Sequence, residues 1–105
     1  MNEPRGHLDL LVLATLDEGP AHGYLVMERL RGRSAGTFDF PEGSVYPALH
    51  RLEERGLLRS AWSAETGRKR RTYELTRRGR VTLSAEAKEW RRFAGAIDAV
   101  LTGVT

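Results

Sequence analysis

The sequence predicts a mainly helical α+β fold in which three short helices precede a β-hairpin and one long helix. Three observations predict it. Apolar residues recur at helical spacing in four stretches, two alternating runs flank a glycine in residues 57–75, and a heptad repeat occupies the end of the chain. The 105 residues are enough for one domain with one modest core.

The first helix is predicted over residues 8–18, after a loose tail at residues 1–6. A helix that is apolar on all sides must be covered on all sides, which in so small a domain favours a second chain. The apolar residues point in almost every direction: Leu8, Leu10, Leu11, Val12, Leu13, Ala14 and Leu16.

A second helix is predicted over about residues 23–33, because Gly19-Pro-Ala-His-Gly23 interrupts the first. Its apolar stripe consists of Tyr24, Met27 and Leu30. In the loop that follows, Phe38 and Phe40 alternate with polar neighbours, so a very short strand is conceivable.

Residues 43–58 predict a third helix with two unlike faces. Ser44 suits the N-cap, Pro47 suits the first turn and Gly56 suits the C-terminal cap. At 100° per residue, one face is apolar and the other polar, with Tyr46 on the flank. The apolar face comprises Val45, Ala48, Leu49 and Leu52, and the polar face Pro47, His50, Arg51 and Glu54.

The alternating residues 57–64 and 72–75 predict a β-hairpin, because the segment between them supplies Gly67 for a turn. Its tip carries four consecutive cations: Arg68, Lys69, Arg70 and Arg71.

Thr76 is the expected N-cap of a last helix over about residues 77–102, which would be about 39 Å long. Gly79 weakens its first turns slightly. A heptad stripe follows, widened by Phe93 and Val100: Leu83, Ala87, Trp90, Ala94, Ile97, Leu101 and Val104. The alternative is that this stripe packs on its own domain, but a helix of this length extends beyond so small a core. We therefore expect a homodimer whose interface includes Leu83, Ala87, Trp90, Phe93, Ile97 and Leu101.

Charge is distributed unevenly along the chain, whose formal net charge is +3. Residues 1–50 carry four basic and seven acidic side chains, whereas residues 51–105 carry thirteen and seven. A basic half favours a polyanionic partner, most commonly nucleic acid, with a merely solvated surface as the alternative.

Other function classes are disfavoured. The absence of cysteine excludes disulfides and thiolate metal sites, and the three histidines lack metal-ligand spacing. We find no catalytic constellation and no phosphate-binding glycine loop, so we expect neither an enzyme nor a cofactor. No apolar run could span a bilayer and no signal peptide is evident, so we expect a cytoplasmic protein without membrane partners.

Three helices followed by a basic hairpin is the element order of a winged helix-turn-helix. The major groove, about 12 Å wide, admits one helix, and a positive hairpin beside it can neutralise phosphates. The His50 and Arg51 face would read DNA, and the four cations at the hairpin tip would contact the backbone. Residues 1–76 would form the DNA-binding region and residues 77–105 the dimerisation helix, within one compact domain.

Four stretches resemble the PadR family of bacterial transcriptional regulators: LxLLVLxxL from residue 8, GPxHGY from residue 19, GSVYPALHRLEERGL from residue 43 and GRKRRTYELTxxG from residue 67. The last two together are the specific part. The resemblance implies a winged-helix dimer that represses genes and is released by a small effector. It also implies DNA contacts from residues 44–51, which include Ser44 and prominently Tyr46, and from the hairpin tip.

In drug-sensing members of the family, a tryptophan on the last helix faces its mate across a dimer pore. Trp90 matches that position, with Leu13 and Ala94 expected nearby. Those members place an acidic residue where this chain has Ala94, so a cationic ligand is not implied. A planar aromatic effector between two Trp90 side chains is the hypothesis, and a plain interface anchor is the alternative.

The sequence therefore predicts a dimeric repressor on a palindromic double-stranded operator, with its two reading helices about 34 Å apart. The alternative is a winged-helix module that binds a protein partner and no DNA.

Overall fold

The computed structural model describes residues 7–64, 67 and 69–105. The predicted N-terminal tail and the predicted phosphate contact Arg68 lie outside these residues. The elements follow the predicted order, with one additional two-residue strand: α1 Leu8–Leu16, β1 Ala21–His22, α2 Gly23–Arg33, α3 Glu42–Glu54, β2 Leu58–Ser63, β3 Arg70–Leu75 and α4 Arg77–Leu101. Three helices, a small antiparallel sheet and a long helix confirm the predicted fold class.

The helix α1 lies at the centre of the core, although it ends two residues before the predicted end. One side packs on α2 and α3, where Leu8, Val12, Leu13 and Leu16 are at most 3 % exposed. The other side is only half-buried at Leu10 and Ala14. The chain itself thus covers part of this apolar helix, and the rest is left partly open.

The helix α2 has the predicted bounds, and Leu30 and Met27 of the predicted apolar stripe pack in or against the core, but Tyr24 does not. The buried residues are Gly23, Val26 and Leu30, whereas Tyr24 is 55 % exposed. The register is set by Gly23, because a Cβ there would lie 2.6 Å from the ring of Tyr46. With Gly23 turned towards α3, Tyr24 is rotated about 100° towards solvent.

The short strand occurs at Ala21–His22 and not at Phe38 and Phe40. Ala21 pairs with Tyr73 of β3, which gives the sheet order β1-β3-β2. The two phenylalanine rings stack on each other instead, with their centroids 6.0 Å apart.

The helix α3 begins earlier than predicted, and Ser44 is not its N-cap. Pro41 occupies the N-cap position with extended backbone and no side-chain cap, so Ser44 lies in the first turn and Pro47 in the second. The C-terminal cap is confirmed. Gly56 has a φ of +77°, its N–H reaches Glu53 O, and Leu57 N–H reaches Leu52 O, which is a Schellman motif.

The apolar face of α3 is confirmed as part of the core. Its four predicted members are fully buried and join residues from α1, β1, α2, β2 and β3, while Leu83 of α4 packs against the cluster from outside. The buried cluster comprises Leu8, Val12, Leu13, Leu16, Ala21, Val26, Leu30, Val45, Ala48, Leu49, Leu52, Leu57, Leu58, Tyr73 and Leu75.

The predicted hairpin is confirmed as the antiparallel pair β2 and β3, which we call the wing. Its register pairs Leu58 with Leu75 at the core and Trp62 with Arg71 towards the tip. Burial raises the pKa of Tyr73, the aromatic residue between these two pairs.

The helix α4 is capped by Thr76 as predicted. The Thr76 hydroxyl accepts the Gly79 N–H at 3.0 Å and donates to Gly56 O at 2.7 Å. The fold needs a glycine at position 79, since a Cβ there would lie 2.0 Å from Leu57 O. The N-terminal part of α4 packs on α1 and β3 and the rest projects, so the molecule measures 55 × 28 × 21 Å.

Candidate nucleic-acid interface

The polar face of α3 is exposed, as the sequence predicts. His50 and Arg51 are exposed, while Ser44 and Tyr46 are half-buried. Tyr46 is held against the backbone of Gly23, which leaves no room for a side chain there. The start of α2 thus fixes the position of the aromatic residue on the flank of α3.

Arg51 is held by an ion pair within the chain. Its Nη2 donates to Asp9 Oδ1 of α1 at 2.7 Å, and Arg55 lies 3.9 Å from the other carboxylate oxygen. The Arg51 side chain is 52 % exposed, and pairs of this kind contribute about 0–1 kcal/mol. Arg51 can therefore leave Asp9 for a phosphate or a base edge at little cost.

The described cations of the wing differ in their surroundings. Lys69 is exposed, and no ion pair of its ammonium group is observed among the described residues. Arg70 Nη1 lies 2.6 Å from His22 Nε2. The Arg71 guanidinium lies 5.3 Å from the centroid of the Trp62 ring, and its Nε donates to Ser60 Oγ at 2.8 Å.

A cleft of about 450 Å³ separates the wing from the N-terminal ends of α2 and α3. We call it the aromatic cleft, because three aromatic side chains line it with three cations. Its lining residues are His22, Gly23, Tyr24, Glu42, Tyr46, Trp62, Lys69, Arg70 and Arg71.

Two lining residues of the aromatic cleft, Tyr24 and Trp62, were missed from the sequence. The stripe predicted for α2 includes Tyr24, and the alternation of residues 57–64 predicts no more than a strand residue at Trp62, yet the two side chains are 55 % and 63 % exposed. The alternation of β2 places Trp62 on the same side as the buried Leu58, so no signal in the sequence indicates that Trp62 is exposed.

The heptad stripe of α4 is largely uncovered in the single chain. Phe93 is 40 %, Leu101 53 % and Val100 82 % exposed, whereas Leu83 packs partly against the core. Val104 lies beyond the end of the helix, so the helical stripe stops at Leu101.

Trp90 borders a shallow cavity of about 290 Å³, whose lining residues are His7, Leu10, Glu86, Glu89, Trp90 and Phe93. The rings of His7 and Trp90 lie 4.8 Å apart, and the buried Nε2 of His7 has no hydrogen-bond partner among the described residues. Leu13 is a core residue at 1 % exposure, and neither it nor Ala94 is part of the lining. The structure brings Leu10 to this cavity instead.

Two carboxylates lie at the rim of the Trp90 cavity. Glu89 accepts two hydrogen bonds from Arg92, the shorter at 2.6 Å, and this pairing lowers the pKa of Glu89. Acidic groups are therefore close to Trp90, although not at position 94.

Within residues 7–64, 67 and 69–105, no three His, Asp or Glu side chains are grouped to hold a metal ion. In that same part of the chain, none of the helices combines the length and the hydrophobicity that a transmembrane span requires.

A three-helix body with an exposed third helix beside a basic wing defines the winged helix-turn-helix class. The family model of the PadR-like transcriptional regulators matches residues 12–85. The chain belongs to this family, whose members are transcription regulators and not enzymes.

Relatives agree with this assignment. The transcriptional regulator Rv3488 of Mycobacterium tuberculosis is 33 % identical over 80 % of this chain and 76 % of its own. An uncharacterised protein of Lysinibacillus sphaericus is 30 % identical over 95 % of this chain and 93 % of its own.

Solved structures extend the similarity to three dimensions. A PadR family transcription regulator from Clostridium difficile has a TM-score of 0.80 at 30 % identity and covers 91 % of this chain and 99 % of its own. A transcriptional regulator from Clostridium thermocellum has a TM-score of 0.82 at 28 % identity and covers 96 % and 93 %.

Proposed function

We propose that the protein is a dimeric, sequence-specific repressor that binds a palindromic operator. The observation that carries the proposal is the exposed polar face of α3 beside the cations of the wing. In this proposal α3 is the recognition helix, with Tyr46, His50 and Arg51 at base edges and Ser44 near the backbone. The wing cations, including Arg68, would pair with phosphates.

Salt dependence tests the phosphate contacts. Affinity for the DNA upstream of the protein's own gene should fall steeply as salt rises, because bound cations displace condensed counterions. Lys69→Ala should lower the slope of log Kd against log salt by about one. Lys88→Ala is the matched control, since it removes the same charge from an exposed site on α4. A flat salt response of the wild type would refute the proposal.

The alternative function is a protein-interaction module, and neutralising the wing cations distinguishes it. A module of that kind would keep its partner after Arg68, Lys69, Arg70 and Arg71 are replaced by alanine. A DNA-binding repressor would lose its DNA, because phosphate contacts supply most of the non-specific affinity.

We propose that the exposed stripe of α4 is covered by a second copy of the chain. The support is the heptad spacing together with the exposure of Phe93, Val100 and Leu101. Ile97→Glu would place a charge on this stripe and should yield a monomer in sedimentation. Ala99→Glu is the matched control, because residue 99 is exposed and lies about 160° around the helix from Ile97. A dimer that survives Ile97→Glu would exclude this interface.

We further propose that a planar aromatic effector binds beside Trp90 and releases the DNA. The cavity next to an exposed indole supports this, with an interface anchor as the alternative. The effector must bind the DNA-free arrangement more tightly, since equal affinity for both arrangements shifts nothing. Acridine should quench the Trp90 emission of the Trp62→Phe protein but not the Trp62 emission of the Trp90→Phe protein. Equal quenching of both would remove the site.

A further inference from the structure

Arg71 differs from Lys69 of the same wing in the number of groups that hold it. Its Nε donates to Ser60 Oγ at 2.8 Å, and its Nη2 lies 3.8 Å from Glu53 Oε2. Its Cζ lies 5.3 Å from the centroid of the Trp62 ring. Lys69, by contrast, is exposed. The charge of Arg71 is thus already matched by a carboxylate and by the face of an aromatic ring.

The Ser60 hydroxyl joins two elements through one oxygen atom. Ser60 Oγ accepts the hydrogen bond from Arg71 of β3 and donates its own to Glu53 Oε2 of α3 at 2.7 Å. Hydrogen bonds in such a chain polarise and strengthen one another. A continuous polar connection, which we call the Glu53–Ser60–Arg71 network, therefore runs from the last turn of α3 through β2 to β3.

The network lies where the wing leaves the body of the protein. Alternation along β2 places Leu58, Ser60 and Trp62 on one side, and of these Leu58 is in the core while Trp62 is 63 % exposed. Burial raises the pKa of Tyr73, which pairs with Ser60 in the register, and the positive charge of Arg71 partly opposes this rise. The guanidinium therefore lies at the boundary between the core and the exposed part of the wing.

An arginine in these surroundings is poorly placed to bind a phosphate. Arg51 gives the contrast, because its side chain is 52 % exposed and its observed partner is one carboxylate of α1. Arg71 is held by a hydroxyl, a carboxylate and an aromatic ring. A phosphate that took Arg71 would have to replace all three contacts and would release the wing from α3.

We propose that Arg71 is a positioning residue that fixes the wing relative to α3, and that it is not one of the phosphate contacts of the wing. The Glu53–Ser60–Arg71 network holds Lys69 and Arg70 at the distance from α3 at which the wing and the recognition helix reach the DNA together. This inference rests on the proposed DNA binding and deepens it, because it separates Arg71 from the cations that pair with phosphates.

Salt titrations separate the two roles of an arginine. The affinity for a fluorescein-labelled random-sequence DNA duplex is measured by anisotropy over a range of salt concentrations. Arg71→Ala should raise Kd about three- to tenfold at every salt concentration and leave the slope of log Kd against log salt unchanged, because no phosphate contact is lost. Lys69→Ala should lower that slope by about one. A slope lowered equally by Arg71→Ala would make Arg71 a phosphate contact and overturn the proposal.

Ser60 provides a test that changes no charge. Ser60→Ala removes the hydroxyl between Arg71 and Glu53 and should raise Kd as much as Arg71→Ala does, whereas Ser60→Thr keeps a hydroxyl and should bind within about twofold of the wild type. Ser63→Ala is the matched control, because Ser63 lies on the opposite side of the same strand. If Ser60→Ala binds the duplex as tightly as Ser63→Ala, the network does not position the wing and the proposal fails while DNA binding stands.

Trp62 reports on the network without DNA. In the Trp90→Phe protein Trp62 is the one tryptophan, and the Arg71 guanidinium lies over its ring. Adding Ser60→Ala should enlarge the fast component of the time-resolved emission anisotropy, because the guanidinium is no longer held over the ring. An unchanged decay would show that Arg71 is held without the network and would overturn the proposal. If the wild type shows no salt-dependent DNA binding, the proposed function itself fails, and the Trp62 decay then decides whether the network exists.

Discussion

Replacing Gly79 by alanine should destabilise the fold although alanine is the better helix former. In an exposed helix interior the substitution would stabilise by about 1 kcal/mol. Here the new Cβ would lie 2.0 Å from Leu57 O and 3.0 Å from its carbon, whereas ordinary contact begins at 3.4 Å. The backbone must therefore move by more than about 1 Å. That movement also strains the hydrogen bond from Thr76 N–H to Leu57 O.

The magnitude follows from these opposing effects. Overpacking typically costs about 1–3 kcal/mol, and a weakened backbone hydrogen bond costs about 1 kcal/mol more. After the gain of about 1 kcal/mol in helix propensity is subtracted, Gly79→Ala should lower the free energy of unfolding by about 1–3 kcal/mol. For a domain of this size that corresponds to a Tm decrease of about 5–20 °C.

The assay is thermal unfolding by circular dichroism at one protein concentration, because the stability of a dimer depends on concentration. Gly95→Ala is the matched control in the same helix. A Cβ at Gly95 meets nothing within 4 Å, and this residue lies away from the apolar stripe, so the free energy of unfolding should rise by about 1 kcal/mol. Equal changes in the free energy of unfolding of the two variants would refute the close approach of Gly79 to Leu57 O.

Three further predictions follow from single contacts. Gly23→Ala should displace Tyr46, whose ring lies 2.6 Å from the new Cβ, and weaken DNA binding in anisotropy measurements; unchanged binding would exclude Tyr46 as a contact. Asp9→Asn should release Arg51 from its ion pair and strengthen binding about two- to fivefold at low salt, whereas weaker binding would make that pair part of the active arrangement. The raised pKa of Tyr73 stabilises the fold fully below the unfolded tyrosine pKa of about 10, and this stability is lost as pH rises through the folded pKa. Tyr73→Phe should flatten this alkaline loss in urea unfolding, and a slope as steep as that of the wild type would assign the loss to another group.

Interactions between near neighbours in the chain could be predicted well. The cap at Thr76, the glycine at position 56 and the buried face of α3 depend on residues within one or two helical turns. The four stretches that resemble the PadR family also predicted the fold class and the family, because together they cover most of the chain. The predicted start of α3 was wrong, because Ser44 satisfies the residue preference for an N-cap although the backbone becomes helical at Glu42, directly after the extended Pro41.

The sequence alone determined the order of elements, the core face of α3, the basic wing and the apolar stripe of α4, because hydrophobic periodicity and capping are local properties. The tertiary structure alone decided which partners distant residues meet. Arg51 pairs with Asp9 forty-two residues away, Gly23 packs against Tyr46, and Leu57 O lies against α4. These contacts depend on how the elements pack in space, which no local pattern encodes. For the same reason the alternation that placed Trp62 on the core side of β2 could not reveal that the core ends before it.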